Sequence, residues 1–223
     1  MTIMSNQFQF ELYSFWRTSA TFRVRVALNM KGLTAHEHNI NIDAGEQRSA
    51  AYLAINPLGG IPTLIEAGHP PITQSLAILE FLEETQPTPP LLPSDRHGRA
   101  RVRAIAAMLA SDTHPLITPR VRKYLVANSS FDDAAWRAWI THWFTTGMTA
   151  VEQRLAGDVA TGKFCHGDIP GMADICLASL VAVMRVFKVT VANTPTIDRI
   201  MANCDALEAF AKAAPSRQVG APA

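Results

Sequence analysis

The sequence has little charge of either sign. Lys, Arg, Asp and Glu make up 17% of 223 residues and the formal net charge is +1, below the quarter usual in soluble domains. A field that weak gathers neither nucleic acid nor an anionic membrane, so neither is expected as a partner. Cysteine is scarce as well. Cys165, Cys176 and Cys204 are odd in number and widely spaced, with no C-x-x-C pair and no histidine at metal-ligand spacing, which argues against a disulfide framework, a dithiol redox site and a metal centre. Internal repeats and low-complexity segments are missing. The opening MTIMSNQFQFEL lacks a basic region followed by an apolar run, so it does not read as a secretion signal, and the cytoplasm is the expected compartment.

What is present is apolar material, 48% of the chain, enough to fill a substantial core in one large or two modest domains. Residues Phe8 to Ser14 alternate apolar and polar, a strand pattern, and Ser19 to Met30 reads as a helix stopped at Gly32. Glu37 to Ile42 offers a second strand, Gly60 to Glu66 a third and the region near Ile72 a short fourth, followed by a helix from Ser75 to Glu84. The order is therefore βαβ followed by ββα. Pro87 to Pro93 (PTPPLLP) cannot continue a helix or a central strand and reads as an inter-domain linker. The expected domains are residues 1–86 and 94–223.

Beyond the linker the patterns are almost entirely helical. Ser94 is the expected N-cap of a helix running toward Ser111, interrupted by His114-Pro115 and Pro119. Trp136, Trp139, Ile140, Trp143, Phe144, Met148, Val151 and Leu155 recur at three- and four-residue steps, the stripe of an amphipathic core helix. Met172 to Phe187 is apolar nearly all round yet carries Asp174 and is short for a bilayer, so it reads as a buried central helix. Gly171 would be its N-cap, with Asp174 completing the second half of a capping box.

The junction Ser14-Phe-Trp-Arg-Thr-Ser-Ala-Thr-Phe-Arg-Val-Arg is more polar than a strand-to-helix turn requires. Thr18 or Ser19 stands at the helix N-cap, and local capping is one explanation. The other is an anion site: a helix N-terminus carries roughly half a positive charge, and with Arg17 and hydroxyl donors beside it the junction suits a thiolate. Gln74-Ser75 opens another helix and presents a second set of amide donors, suited to a carboxylate. Two anion sites in one small α/β domain imply a ligand bearing a thiol and a carboxylate.

Phe15-Trp-Arg-Thr-Ser with Arg23-Val-Arg-Val-Ala-Leu-Asn, Asn56-Pro-Leu-Gly-Gly-Ile-Pro-Thr-Leu, Gln74-Ser-Leu-Ala-Ile, Leu91-Leu-Pro-Ser-Asp, His114-Pro-Leu, and Gly162-Lys-Phe-Cys-His-Gly-Asp through Ala173-Asp-Ile-Cys-Leu stand in a specific order and spacing. In these segments, and over essentially its whole length, the chain resembles the zeta-class glutathione transferases, the group that includes the maleylacetoacetate and maleylpyruvate isomerases. The resemblance implies an α+β fold of glutathione transferase architecture: a thioredoxin-like N-terminal domain followed by an all-helical, substrate-binding C-terminal domain. It also implies glutathione as co-substrate and a homodimer. Carried over residue by residue, Thr18 or Ser19 activates the glutathione thiolate, with Ala20 beside them. Ile61 before a cis Pro62 pairs with the cysteinyl part, Gln74 and Ser75 hold the γ-glutamyl carboxylate, and Gln47 lies near the glycyl end. His114 and Thr118 approach from the second domain, although His114 reads equally as a cap of the interrupted helix. Arg17 and Arg120 match positions that grip substrate carboxylates, and Arg120 reads alternatively as a solvated helix residue.

The implied chemistry is thiolate addition to the cis double bond of a maleyl group, rotation, and elimination of the trans isomer. Two departures bear on it. Ala20 stands where many zeta enzymes have cysteine, and Val186 where an arginine is common; the adjacent Arg185 is the expected substrate-binding arginine in its place, although one helical step rotates a side chain by about 100°. The expected function is a glutathione-dependent cis–trans isomerase of a maleyl-type dicarboxylate. The alternatives are a glutathione transferase that conjugates or dehalogenates an electrophile, and a non-catalytic binding protein on the same scaffold.

Overall fold

The computed structural model describes residues 9–222; Phe8, read above as the first strand residue, lies outside them. Strand β1, Phe10–Ser14, buries every second side chain, as the period-2 pattern requires. Helix α1, Ser19–Lys31, follows and ends at Gly32, whose φ of 66° is left-handed. Leu33 N–H then reaches back to the Leu28 carbonyl at 3.0 Å, a Schellman-type closure that glycine makes easy.

Strand β2 runs Ala35–Asn39, parallel to β1, earlier than the expected Glu37 to Ile42. Beyond Asn39 the chain leaves the sheet because the Asn41 side chain accepts the N–H groups of Asp43 and Ala44, at 3.0 and 3.1 Å, an Asx turn. A 3-10 turn, Glu46–Arg48, leads into α2, Ala50–Ile55, capped by Ser49; sequence patterning did not predict this helix. Strand β3, Thr63–Glu66, and strand β4, Ile72–Thr73, pair antiparallel and precede α3, Ser75–Thr85. The third strand begins at Thr63 rather than Gly60 because the Gly60 carbonyl is taken by the Tyr52 hydroxyl, at 2.6 Å, and by Asn56 Nδ2, at 2.7 Å. These side chains replace ladder partners. The sheet order is β2-β1-β3-β4. Leu12, Val24, Leu64, Ile78, Leu79 and Leu82 are fully buried and join sheet to helices.

The second helical series opens with α4, Arg96–Ala107. Its N-cap is Asp95, not Ser94: the Asp95 carboxylate accepts the Gly98 N–H at 2.8 Å, and a carboxylate complements the helix dipole as well as capping it. The expected continuation toward Ser111 changes to a π-turn at Met108–Thr113, then a 3-10 turn at His114–Ile117, then α5, Pro119–Asn128. The π-turn fits a close approach. A Cβ on Gly147 would lie 2.2 Å from Thr113 Oγ1, and that hydroxyl donates to the Met108 carbonyl at 2.8 Å.

Helix α6, Asp133–Ala156, buries Trp136, Ile140, Phe144, Met148, Val151 and Leu155, the expected stripe. Helix α7, Met172–Val186, is buried along most of its length. Asp174 Oδ2 accepts the Gly171 N–H at 2.9 Å, the half of the capping box that glycine permits. Helix α8 spans Pro195–Asp205, its first amides received by Glu152 of α6, and α9 spans Glu208–Ala213.

The chain divides into two compact units, one running through Leu91 and taking up the segment from Glu208 onward, the other Leu92–Leu207. The expected division at 94–223 therefore differs at its end. Helix α9 belongs with α1, where Asn29 Nδ2 donates to the Ala209 carbonyl at 2.9 Å. Among the described residues no helix is long and apolar enough to cross a membrane.

Candidate active site

The strand registers bring the candidate residues of the first unit to one end of the sheet. Ser14 pairs with Asn39, Tyr13 with Thr63 and Thr63 with Thr73. The same edge therefore carries the Phe15–Thr18 loop, the Ile40–Gly45 loop, the Gly60–Pro62 segment and the start of α3. Helices α1 and α3 both present their N-termini there, where the first-turn amides have no partner within the helix itself.

At the first N-terminus, Thr18 is the N-cap by backbone geometry, but its side chain makes no capping bond. The hydroxyl instead lies 2.7 Å from Thr21 Oγ1. Thr18 is the donor in that bond and also lies 3.4 Å from the Phe15 carbonyl, so an anion at this terminus would compete with these acceptors for its proton. Ser19 is buried at 1% exposure while Thr18 and Ala20 are half-buried. Of the two hydroxyls considered, Thr18 is the more open. Thr21 was not singled out from sequence; only the fold makes it Thr18's partner.

The loop before α1 rests on an ion pair between a buried arginine and an exposed glutamate. Arg25 donates to Glu37 at 2.6, 2.9 and 3.1 Å and to Ser14 Oγ at 3.2 Å, while Ser14 Oγ donates to Glu37 at 2.7 Å. Desolvation pushes the Glu37 carboxyl up, but hydrogen bonds and charge from Arg25, with Ser14, together outweigh it and hold the group below its ordinary value. Arg17 faces another carboxylate: its two terminal nitrogens donate to the two oxygens of Asp43, each at 2.5 Å. That guanidinium holds the Asp43 carboxyl below the usual range. Asp43 gave no signal in the sequence, because its partner lies on another loop.

Gln47 Nε2 donates to the Ile42 carbonyl at 3.3 Å, and its Oε1 is buried without a hydrogen-bond partner. An orphaned acceptor of this kind is costly unless a ligand donor meets it. Gly59 lets this segment close: φ is 63°, and a Cβ would lie 2.6 Å from the Gln47 carbonyl oxygen. The Ile61-Pro62 bond is cis, as expected. Next to it across the β3–β4 pair stands Gln74, the N-cap of α3, at φ 68° and ψ 113°. Such a backbone is strained for any residue but glycine, and strain of this kind concentrates at ligand-holding positions. Gln74 is exposed and Ser75 buried.

In the second unit, His114 opens the 3-10 turn and Thr118 is the backbone N-cap of α5, its hydroxyl donating to the Pro115 carbonyl at 2.9 Å. Arg120 is exposed in the first turn of α5, where its charge is opposed by the helix dipole. Arg185 is exposed and donates to Asp205 of α8 at 2.7 and 3.2 Å, which raises its pKa. Its charge is engaged on that face.

All three cysteines are buried. Burial, with the Asp174 charge adding, pushes the Cys165 and Cys204 thiols up, so neither is a thiolate at neutral pH. Among the described residues no group of His, Cys, Asp and Glu could hold a metal ion.

Residues 8–84 match the glutathione S-transferase N-terminal domain model. A maleylpyruvate isomerase of Ralstonia is 40% identical over 93% of this chain and 98% of its own. A crystal structure of maleylacetoacetate isomerase from Methylobacterium extorquens AM1, with malonate and glutathione bound, has a TM-score of 0.94 at 45% identity, covering 96% of this chain and all of that one. A holo maleylpyruvate isomerase, described as a bacterial zeta-class glutathione S-transferase, has a TM-score of 0.91 at 39% identity over 95% of this chain and 100% of that one. Full-length likeness at this level, joined to the sheet-end arrangement above, makes the chain a member of the zeta-class glutathione transferase family of maleylacetoacetate and maleylpyruvate isomerases.

Proposed function

We propose that this protein is a glutathione-dependent cis–trans isomerase of a maleyl-type dicarboxylate, such as maleylacetoacetate or maleylpyruvate. The observation that carries the reading is the convergence at one sheet end of two helix N-termini, the strained Gln74, the orphaned Gln47 acceptor and Arg17. Glutathione fits this set: its thiol suits the α1 terminus, its γ-glutamyl carboxylate suits Gln74 and Ser75, and an amide donor of the peptide satisfies Gln47. The relatives' names and bound ligands point the same way.

When bound, glutathione supplies a thiolate that adds reversibly to the maleyl double bond, which the protein's buried cysteines cannot do. The α1 amides and the Thr18 hydroxyl lower the pKa of that thiol from its free value of about 8.5. Ile61 offers backbone groups beside Pro62, and Arg17 and Arg120 offer forked donors to substrate carboxylates. A homodimer in the cytoplasm is part of the same reading.

Conjugation or dehalogenation of an electrophile is the second reading, favoured by Ala20, which provides no polar side chain at the α1 terminus, and by the engagement of Arg185 with Asp205. A spectrophotometric assay on maleylacetone or maleylpyruvate, with and without glutathione and beside a chloronitrobenzene control, separates them. Glutathione-dependent loss of the cis substrate supports isomerisation; conjugation alone supports the second reading.

A further inference from the structure

The guanidinium of Arg17 already holds a carboxylate. Asp43 meets it fork to fork, both bonds at 2.5 Å, the geometry with which arginine grips a small carboxylic acid. Phe15 and Trp16 flank the guanidinium at 5.2 and 5.5 Å from their ring centroids, which fixes its plane. Asp43 is fixed in turn: Asn41 Oδ1 accepts its N–H, and the Asn41 N–H donates to Glu46 Oε2 at 2.7 Å. The two side chains are 23% and 56% exposed, so water and ligands reach the pair and the bond is exchangeable.

We propose that Asp43 is a resident competitor for the substrate carboxylate at Arg17, a specificity-determining side chain that a ligand must displace. The proposal rests on reading Arg17 as a substrate-binding residue. A ligand held by one carboxylate alone gains nothing over Asp43, which offers the same group at no cost in association entropy. A ligand with a second anchor elsewhere is kept close and wins the exchange. Asp43 thus rejects monocarboxylates and admits dicarboxylates, by competition rather than by shape.

Malonate and acetate binding to the glutathione-saturated protein, read by calorimetry, tests this. Asp43→Asn should bind malonate about two- to fivefold tighter, the span of an exposed ion pair, with acetate gaining at least as much. Asp43→Ala should agree in sign. Arg17→Ala should weaken malonate binding, and adding Asp43→Asn to it should change nothing more. If Arg17→Ala leaves malonate binding unaltered, the reading of Arg17 fails and the competitor role with it. If Arg17→Ala weakens binding but Asp43→Asn weakens it too, or leaves it unmoved, the competitor role alone is overturned and Asp43 merely holds Arg17 in place.

Discussion

The two ends of α1 are finished in opposite ways. Its C-terminus is closed by several bonds: Lys31 Nζ donates to Glu83 at 2.9 Å and to the carbonyls of Gln86 and Pro89 at 2.6 and 2.9 Å, Glu83 also receives the Leu91 N–H, and Gly32 closes the backbone. At its N-terminus the cap hydroxyl makes no capping bond and donates to Thr21 Oγ1 instead, and the helix itself supplies no partner for its first-turn amides. One helix therefore carries stability at one end and binding capacity at the other. Donors left open on a rigid element are ready for a ligand without reorganisation.

Breaking the sealed end should have the largest effect. Lys31→Met leaves Glu83 buried and uncompensated, and should cost about 3–5 kcal/mol in urea unfolding, with catalysis per folded molecule nearly unchanged. At the open end, Thr18→Ala should lower kcat by about a hundredfold, in the range of losing one donor to a developing anion, and should raise the pKa of bound glutathione read by thiolate absorbance. Thr18→Ser should restore both, with no change in unfolding.

Gln74→Gly sharpens the comparison at the other helix N-terminus. It should weaken glutathione binding about tenfold, as for a lost charge-assisted hydrogen bond, and stabilise the protein by up to about 1 kcal/mol through relief of the backbone. Opposite signs from one substitution would show strain held for binding; a loss in both would remove that interpretation. Glu37 should give the smallest effect. Its native pKa lies below the ordinary 4.5, so its stabilisation is complete above that pH and is lost as pH falls through the native value. The stability gap between the protein and Glu37→Gln should hold from pH 7 to pH 5 and close in acid.

Much of this was legible in the sequence, and the exceptions have physical causes. Helices α1, α3, α6 and α7 declared themselves by periodicity and by Gly32 and Asp174, which act on near neighbours. Helix α2 was not legible, since six residues with only Tyr52 buried provide no period to read. Ser94 and Asp95 are both good caps, and only the backbone decides between them. Thr18, Ser19, Gln74 and Ser75 were readable as helix starts. The pairing of Arg17 with Asp43, the orphaned oxygen of Gln47 and the backbone of Gln74 depend on contacts between loops far apart in the chain.

The placement of α9 beside α1 has a consequence for the order in which the protein comes into being. The first unit is interrupted in sequence by the whole of the second, and Asn29 waits for a carbonyl 180 residues downstream. On the ribosome, where domains tend to fold as they emerge, the first unit cannot be complete until the segment from Glu208 onward is made. The helix that carries the site is the first to be synthesised and among the last to gain its full set of neighbours.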